Sequence, residues 1–300
     1  MLLRVLGGFL MALADSVPGI SGGTIAFLIG IYDEFINSLN DIVSRDKEKR
    51  MAAIKFLIKL GSGWIVGMAL AALVISAIFE KHIYAISSLF LGFVLCSIPL
   101  IVREEKETMK GKYGKLIYLV LGVILVVAIT YFSKHALIDN ISLKWGELTV
   151  ATGIYLFFSA MCAISAMVLP GISGSTLLLV FGAYQAVITA IGGFLRLDFS
   201  YFVGLCIFGF GVLAGIFSIV KILKVGLEKH RPAMLYFIIG MMIGSLYAIV
   251  MGPTSLKDNP LPALSWDTFY PIYFIVGGVV IFGLQFFKEM MLKKENENKE

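Results

Sequence analysis

The chain has 300 residues, of which 59% are hydrophobic and 15% charged, and its mean hydropathy is +0.91. This balance excludes an ordinary soluble domain and a disordered chain, and the apolar residues fall in runs long enough to cross a bilayer. The formal charge of +5 comes from cations clustered between those runs, so it reflects membrane topology and anionic inner-leaflet lipid, with no nucleic acid implied.

Ten apolar segments follow in chain order, at about 2–14, 24–39, 54–79, 83–102, 115–133, 147–169, 176–195, 200–226, 232–252 and 268–288. They predict an all-α integral membrane protein with five segments per half. The first segment, with Arg4 before the run Val5 to Ala14 and Ala12-Leu13-Ala14 at its end, also has the outline of a secretory leader cut before Asp15. Cleavage there would leave the first half without the helix that precedes the corresponding stretch of the second.

That stretch is Pro18-Gly19-Ile20-Ser21-Gly22-Gly23-Thr24, and it returns 152 residues later as Pro170-Gly171-Ile172-Ser173-Gly174-Ser175-Thr176. Each copy opens an apolar run that reaches Gly30-Ile31-Tyr32 or Gly182-Ala183-Tyr184. At an offset of 148, Gly63, Gly67, Glu80-Lys81-His82 and Gly92 meet Gly211, Gly215, Glu228-Lys229-His230 and Gly240. At 155, Ile117-Tyr118 and Gly122 meet Ile272-Tyr273 and Gly277. The chain therefore reads as a duplication, with repeat 1 over 1–140, repeat 2 over 141–290 and a charged cytoplasmic tail over 291–300.

Whether each half crosses five times, or three times with its motif segments as a re-entrant hairpin, the count is odd and the second half is inverted. Charge supports this independently. With both termini in the cytoplasm of a plasma-membrane protein, 20 of the 25 Lys and Arg residues lie on the cytoplasmic side.

Proline ends a helix, glycines allow turns closed to other residues, and Ser or Thr caps the next helix. Two such turns are expected to present free amides at positive helix ends, a site for an anion shared near the midplane. The expected binding residues are Ser16, Pro18, Gly19, Ser21, Gly22, Gly23 and Thr24 with Pro170, Gly171, Ser173, Gly174, Ser175 and Thr176. The bland alternative is that these small residues only let helices pack closely. Asp15 precedes the first motif alone, its counterpart being Met167, which makes it the candidate for ion coupling, for orienting the loop amides, or for a plain interfacial cap. Glu80, His82, Glu228 and His230 are candidate gates or solvated turns.

The residues point to no metal and no cofactor: Cys96, Cys162 and Cys206 sit in apolar runs without ligand spacing, and the glycine-rich turns lack the Lys of a nucleotide loop.

The stretches Asp15 to Thr24 and Met167 to Thr176 resemble the two signature segments of the bacterial polyprenyl-phosphate transporter family, and length and repeat order agree over nearly the whole chain. The resemblance implies a prenyl lipid phosphate as substrate, undecaprenyl phosphate, returned from the outer to the cytoplasmic leaflet, with membrane lipid around the tail. An oligomer is compatible with the sequence. The motifs carry no cation; Arg196 and Arg4 are the nearest in sequence. A small-anion transporter and a membrane enzyme acting on lipid phosphates are the alternatives, the latter disfavoured because no nucleophile and base cluster.

Overall fold

The computed structural model describes residues 2–15, 21–70, 82–132, 141–255 and 261–297, and every regular element among them is helical. Apart from one-turn pieces, these are in chain order α1 (Leu2–Asp15), α2 (Gly22–Leu28), α3 (Tyr32–Asp41), α4 (Lys47–Leu70), α5 (Ile83–Glu104) and α6 (Leu116–Phe132). They are followed by α7 (Val150–Val168), α8 (Gly174–Val180), α9 (Tyr184–Leu195), α10 (Phe202–Lys229), α11 (Arg231–Met251) and α12 (Pro271–Glu297). Helix is forced on so apolar a chain because a bilayer offers no water to the backbone, so each amide must be satisfied within its own segment.

Six of the ten expected segments form helices long and apolar enough to span. The motif segments do not run straight. The segment expected at 24–39 breaks at Gly30 into α2 and α3, and the one at 176–195 breaks at Gly182 into α8 and α9, which turn by 110° from each other. Both glycines have positive φ, 76° and 65°, a conformation that a side chain resists. With seven residues each, α2 and α8 are about 10 Å long against a hydrocarbon core of about 30 Å, so neither crosses alone.

Helix α1 packs closely on α4: Gly8 lies against the Leu60 backbone, and Gly63 against that of Val5. The same kind of contact joins α7 to α10, where Gly211 and Gly215 lie against Phe157 and Met161. Two further pairs cross between the halves. Gly92 of α5 abuts Phe274 of α12 and Gly277 abuts Leu89, while Gly240 of α11 abuts Leu119 of α6 and Gly122 abuts Phe237. Leu89 and Phe237 are 148 apart and Leu119 and Phe274 are 155 apart, the same offsets that relate the glycines. A Cβ at any of these positions would strike backbone, so the small residues set the helix spacing there.

Helix α11 forms the centre, with Leu235, Ile238, Met241 and Met242 fully buried. At the other extreme, α6 turns Leu116, Ile117, Val120, Leu121 and Ile124 outward, an apolar surface that suits lipid.

Candidate functional site

The described part of the first motif begins at Ser21; Ser16, Pro18 and Gly19 lie outside the described residues. Ser21 is fully buried and caps α2 in extended conformation, its Oγ accepting from the Gly23 amide at 3.1 Å. The Gly22 amide donates to Asp15 Oδ1 at 2.7 Å, and Trp64 Nε1 donates to Asp15 Oδ2 at 3.3 Å. The Thr24 amide returns to the Ser21 carbonyl at 3.0 Å. In the second copy Gly171 turns at φ 91° with its backbone against Met241, and Ser173 caps α8 without a side-chain bond to an amide, its Oγ instead 2.7 Å from Ser175 Oγ.

The two motifs meet. Thr24 Oγ1 accepts from the Gly171 amide at 2.8 Å, and Ser21 Oγ donates to the Leu169 carbonyl at 3.0 Å. Tyr32, 1% exposed, donates its hydroxyl to the Val168 carbonyl at 3.1 Å. The last carbonyls of a helix have no partner within it, so hydroxyls from the first half satisfy the end of α7 in the second. Gly23 leaves no room for a side chain there: a Cβ would stand 2.8 Å from the Val168 carbonyl oxygen.

One expectation is corrected. Among the described residues of the first turn, the amides of Gly22, Gly23 and Thr24 are not free, because Asp15 and Ser21 occupy them, and in the second copy Thr24 occupies that of Gly171. The physical reason is Asp15, a carboxylate placed where an external anion would bind a positive helix end. The second half has Met167 at that position, and the amides of Gly174, Ser175 and Thr176 have no partner among the described residues. Pro170 precedes this turn and is buried, as is Gly174, whereas Ser175 and Thr176 are half-buried.

Of the two cations nearest in sequence, Arg4 is paired with Glu34 at 2.6 Å, and Arg196 is exposed at the end of α9. Among the candidate gates, Glu80 lies outside the described residues, and His82, Glu228 and His230 are exposed. His82 and His230 hold nearly the same backbone angles, φ −126° and ψ 29° against φ −130° and ψ 35°, at the starts of α5 and α11.

Among the described residues, clefts flank the motif helices. An apolar one of about 230 Å³ runs from Asp15, Gly23 and Trp64 along Leu57, Leu60 and Ile216. A second, of about 180 Å³, lies beyond the far end of α2 at Gly30, Tyr32, Asp33, Glu105 and Arg231. The third, of about 230 Å³, holds Ser142, Gly182, Gln185, Thr189 and Tyr201. Sequence reasoning passed over Tyr32, Asp33, Trp64, Glu105 and Arg231. The available signal was the acidic pair Asp33-Glu34 within an apolar segment whose second copy reads Gln185-Ala186.

Among the described residues, six helices long and apolar enough to span, short helices that end at glycine and two motifs joined at the centre define a multi-pass membrane protein of transporter type. The family model described as undecaprenyl phosphate translocase-like matches residues 11–260, and the chain belongs to that family. It is 35% identical over 261 residues to the polyprenyl-phosphate transporter of Staphylococcus aureus (strain NCTC 8325 / PS 47), covering 85% of this chain and 88% of that protein. It is also 35% identical over 251 residues to the polyprenyl-phosphate transporter of Vibrio cholerae serotype O1, covering 80% of this chain and 75% of that one. No solved structure gives a significant match.

Proposed function

We propose that the protein carries undecaprenyl phosphate from the outer to the cytoplasmic leaflet for reuse as a lipid carrier, with both termini in the cytoplasm. The observation that carries this reading is the junction of the two motifs through Thr24 and Gly171, together with relatives named polyprenyl-phosphate transporters. The phosphate is received at the Gly174 to Thr176 turn and the prenyl tail stays in lipid. The recurrence of glycine contacts at matching offsets supports two repeats, and repeats that each cross the membrane an odd number of times are inverted.

Moving one negative charge inward against about 100 mV costs roughly 2.3 kcal/mol, and a phosphomonoester carries up to about twice that charge. A co-transported proton would offset this, and Asp15 is the residue placed to carry it, since protonation would release the Gly22 amide to the phosphate. The test is translocation of a leaflet-specific lipid phosphate in proteoliposomes with and without a pH gradient. We predict that Asp15→Asn retains lipid binding in detergent and loses its response to the gradient. Wild-type transport indifferent to the gradient would remove Asp15 from coupling; soluble-anion uptake without lipid movement would favour a small-anion transporter.

A further inference from the structure

Arg231 stands at the start of α11 between the end of α5 and the start of α3. Its Nη2 donates to Glu105 Oε1 at 2.5 Å, its Nε to Glu105 Oε2 at 3.4 Å, and its Nη1 to Asp33 Oδ2 at 2.7 Å. The cluster closes the cleft that begins at Gly30 and Tyr32, the end of α2 opposite the motif. One guanidinium between the two carboxylates of Asp33 and Glu105 leaves this cluster with an excess of negative charge. A phosphate cannot enter such a site unless the carboxylates give up the arginine. The planar fork of a guanidinium binds a phosphate as well as a carboxylate, so the exchange keeps every donor satisfied.

Among the described residues, the cleft of the other half shows no matching Arg–carboxylate cluster. Gly182 opens the equivalent cleft, and Gln185 stands there in place of Asp33, with Ser142, Thr189 and Tyr201 as its polar neighbours. The position matching Arg231 at the offset of 148 is Ile83, which is buried. Helix α3 is tied further by Arg4 to Glu34 and by Lys224 to Asp41 at 3.2 Å, whereas α9 contains no charged residue. Asp33 and Arg231 are 45% and 36% exposed, so the Asp33 arm of the closure is a weak contact that a competing anion displaces first, while Glu105, 18% exposed and held by two donors, is the firmer arm.

We propose that Arg231 with Asp33 and Glu105 is the cytoplasmic gate, opened when the lipid phosphate takes the guanidinium from the two carboxylates. The proposal rests on the transport reading above. It assigns the phosphate a second, exit-side subsite and makes Arg231 the cation that the motifs lack.

The test uses the full chain in inside-out vesicles, with Cys96, Cys162 and Cys206 replaced by Ala and Ile101→Cys as reporter, since Ile101 lines the cleft and is 4% exposed. A membrane-impermeant maleimide should label this cysteine slowly at rest and roughly tenfold faster with undecaprenyl phosphate, while the neutral alcohol undecaprenol leaves the rate unchanged. Adding Asp33→Asn with Glu105→Gln should give the fast rate without lipid. Arg231→Lys, which keeps the charge and loses the fork, should still be labelled slowly at rest but respond weakly to the lipid phosphate. A parent protein that translocates the lipid phosphate yet is labelled at one rate with the phosphate, the alcohol or neither would overturn the gate and leave transport standing. A parent that moves no lipid phosphate would overturn the transport reading, and the phosphate-driven opening with it.

Discussion

Thr24→Val isolates one of the bonds that join the two motifs. Thr24 is 2% exposed and its hydroxyl is the acceptor of the Gly171 amide at 2.8 Å, in a buried turn pressed against the Met241 backbone. Valine has nearly the shape of threonine but accepts no hydrogen bond, so it strands the amide. A buried donor left unpaired costs about 1–3 kcal/mol, more than the roughly 0.5–1.5 kcal/mol net value of an ordinary hydrogen bond. Thr24→Ser keeps the acceptor and loses one methyl, about 0.8 kcal/mol. We predict the stability order wild type, Ser, Val, measured by thermal unfolding in detergent with circular dichroism, the Val variant melting roughly 2–10 °C below wild type. At a temperature where all three are folded, translocation should be slowest for Val, because the junction and not the bulk of the fold has been loosened. A Val variant as stable and as active as wild type, beside a less stable Ser variant, would show that only packing volume matters at Thr24.

A Cβ on Gly22 would stand 2.6 Å from Asp15 Oδ2, and one on Gly174 would stand 3.0 Å from the Ala163 carbonyl oxygen. Gly22→Val and Gly174→Val are therefore expected to cut translocation by about tenfold or more, or about 1.4 kcal/mol in barrier, with monodisperse protein recovered; normal rates in both would reduce the motifs to packing. Burial raises the Asp41 carboxyl, but bonds from Asn40 and Lys224 and the charges of Lys224 and Lys49 outweigh it and hold it below its ordinary value. The pair then stabilises α3 at neutral pH by about 0.2–1 kcal/mol, a contribution lost as the pH falls through that lowered value. Lys224→Gln should shrink this acid-side loss in pH-dependent unfolding; an identical pH profile would show that the pair contributes nothing. For topology, cysteines at Glu48 and Glu107 should react with an impermeant reagent from the cytoplasmic side only, and those at Glu147 and Asp267 from the other side only. Labelling of Glu48 and Glu147 positions from one side would end the inverted arrangement.

The helical membrane fold and the recurrence of the motif were legible in the sequence because both are local properties: apolar run length dictates helix in a bilayer, and a repeated Pro-Gly-Ile-Ser-Gly is visible wherever it lies. The break at Gly30 and Gly182 was only partly legible, since a glycine permits a positive φ without requiring one. Tertiary structure alone decided what the turns do. The motif residues were expected to present free amides; Asp15, seven residues from Gly22 in sequence, takes an amide of the first turn, and Thr24 takes that of Gly171, 147 residues away, while the amides of Gly174 to Thr176 have no partner among the described residues. The Arg231 cluster was equally hidden, because Asp33, Glu105 and Arg231 come from three helices and none lies in a motif. Residue type says which hydrogen bonds and charge pairs a side chain is able to make. Which of them form depends on distances between segments that are remote in the chain, and those are set by backbone-to-backbone packing at glycines such as Gly8, Gly63, Gly122 and Gly240.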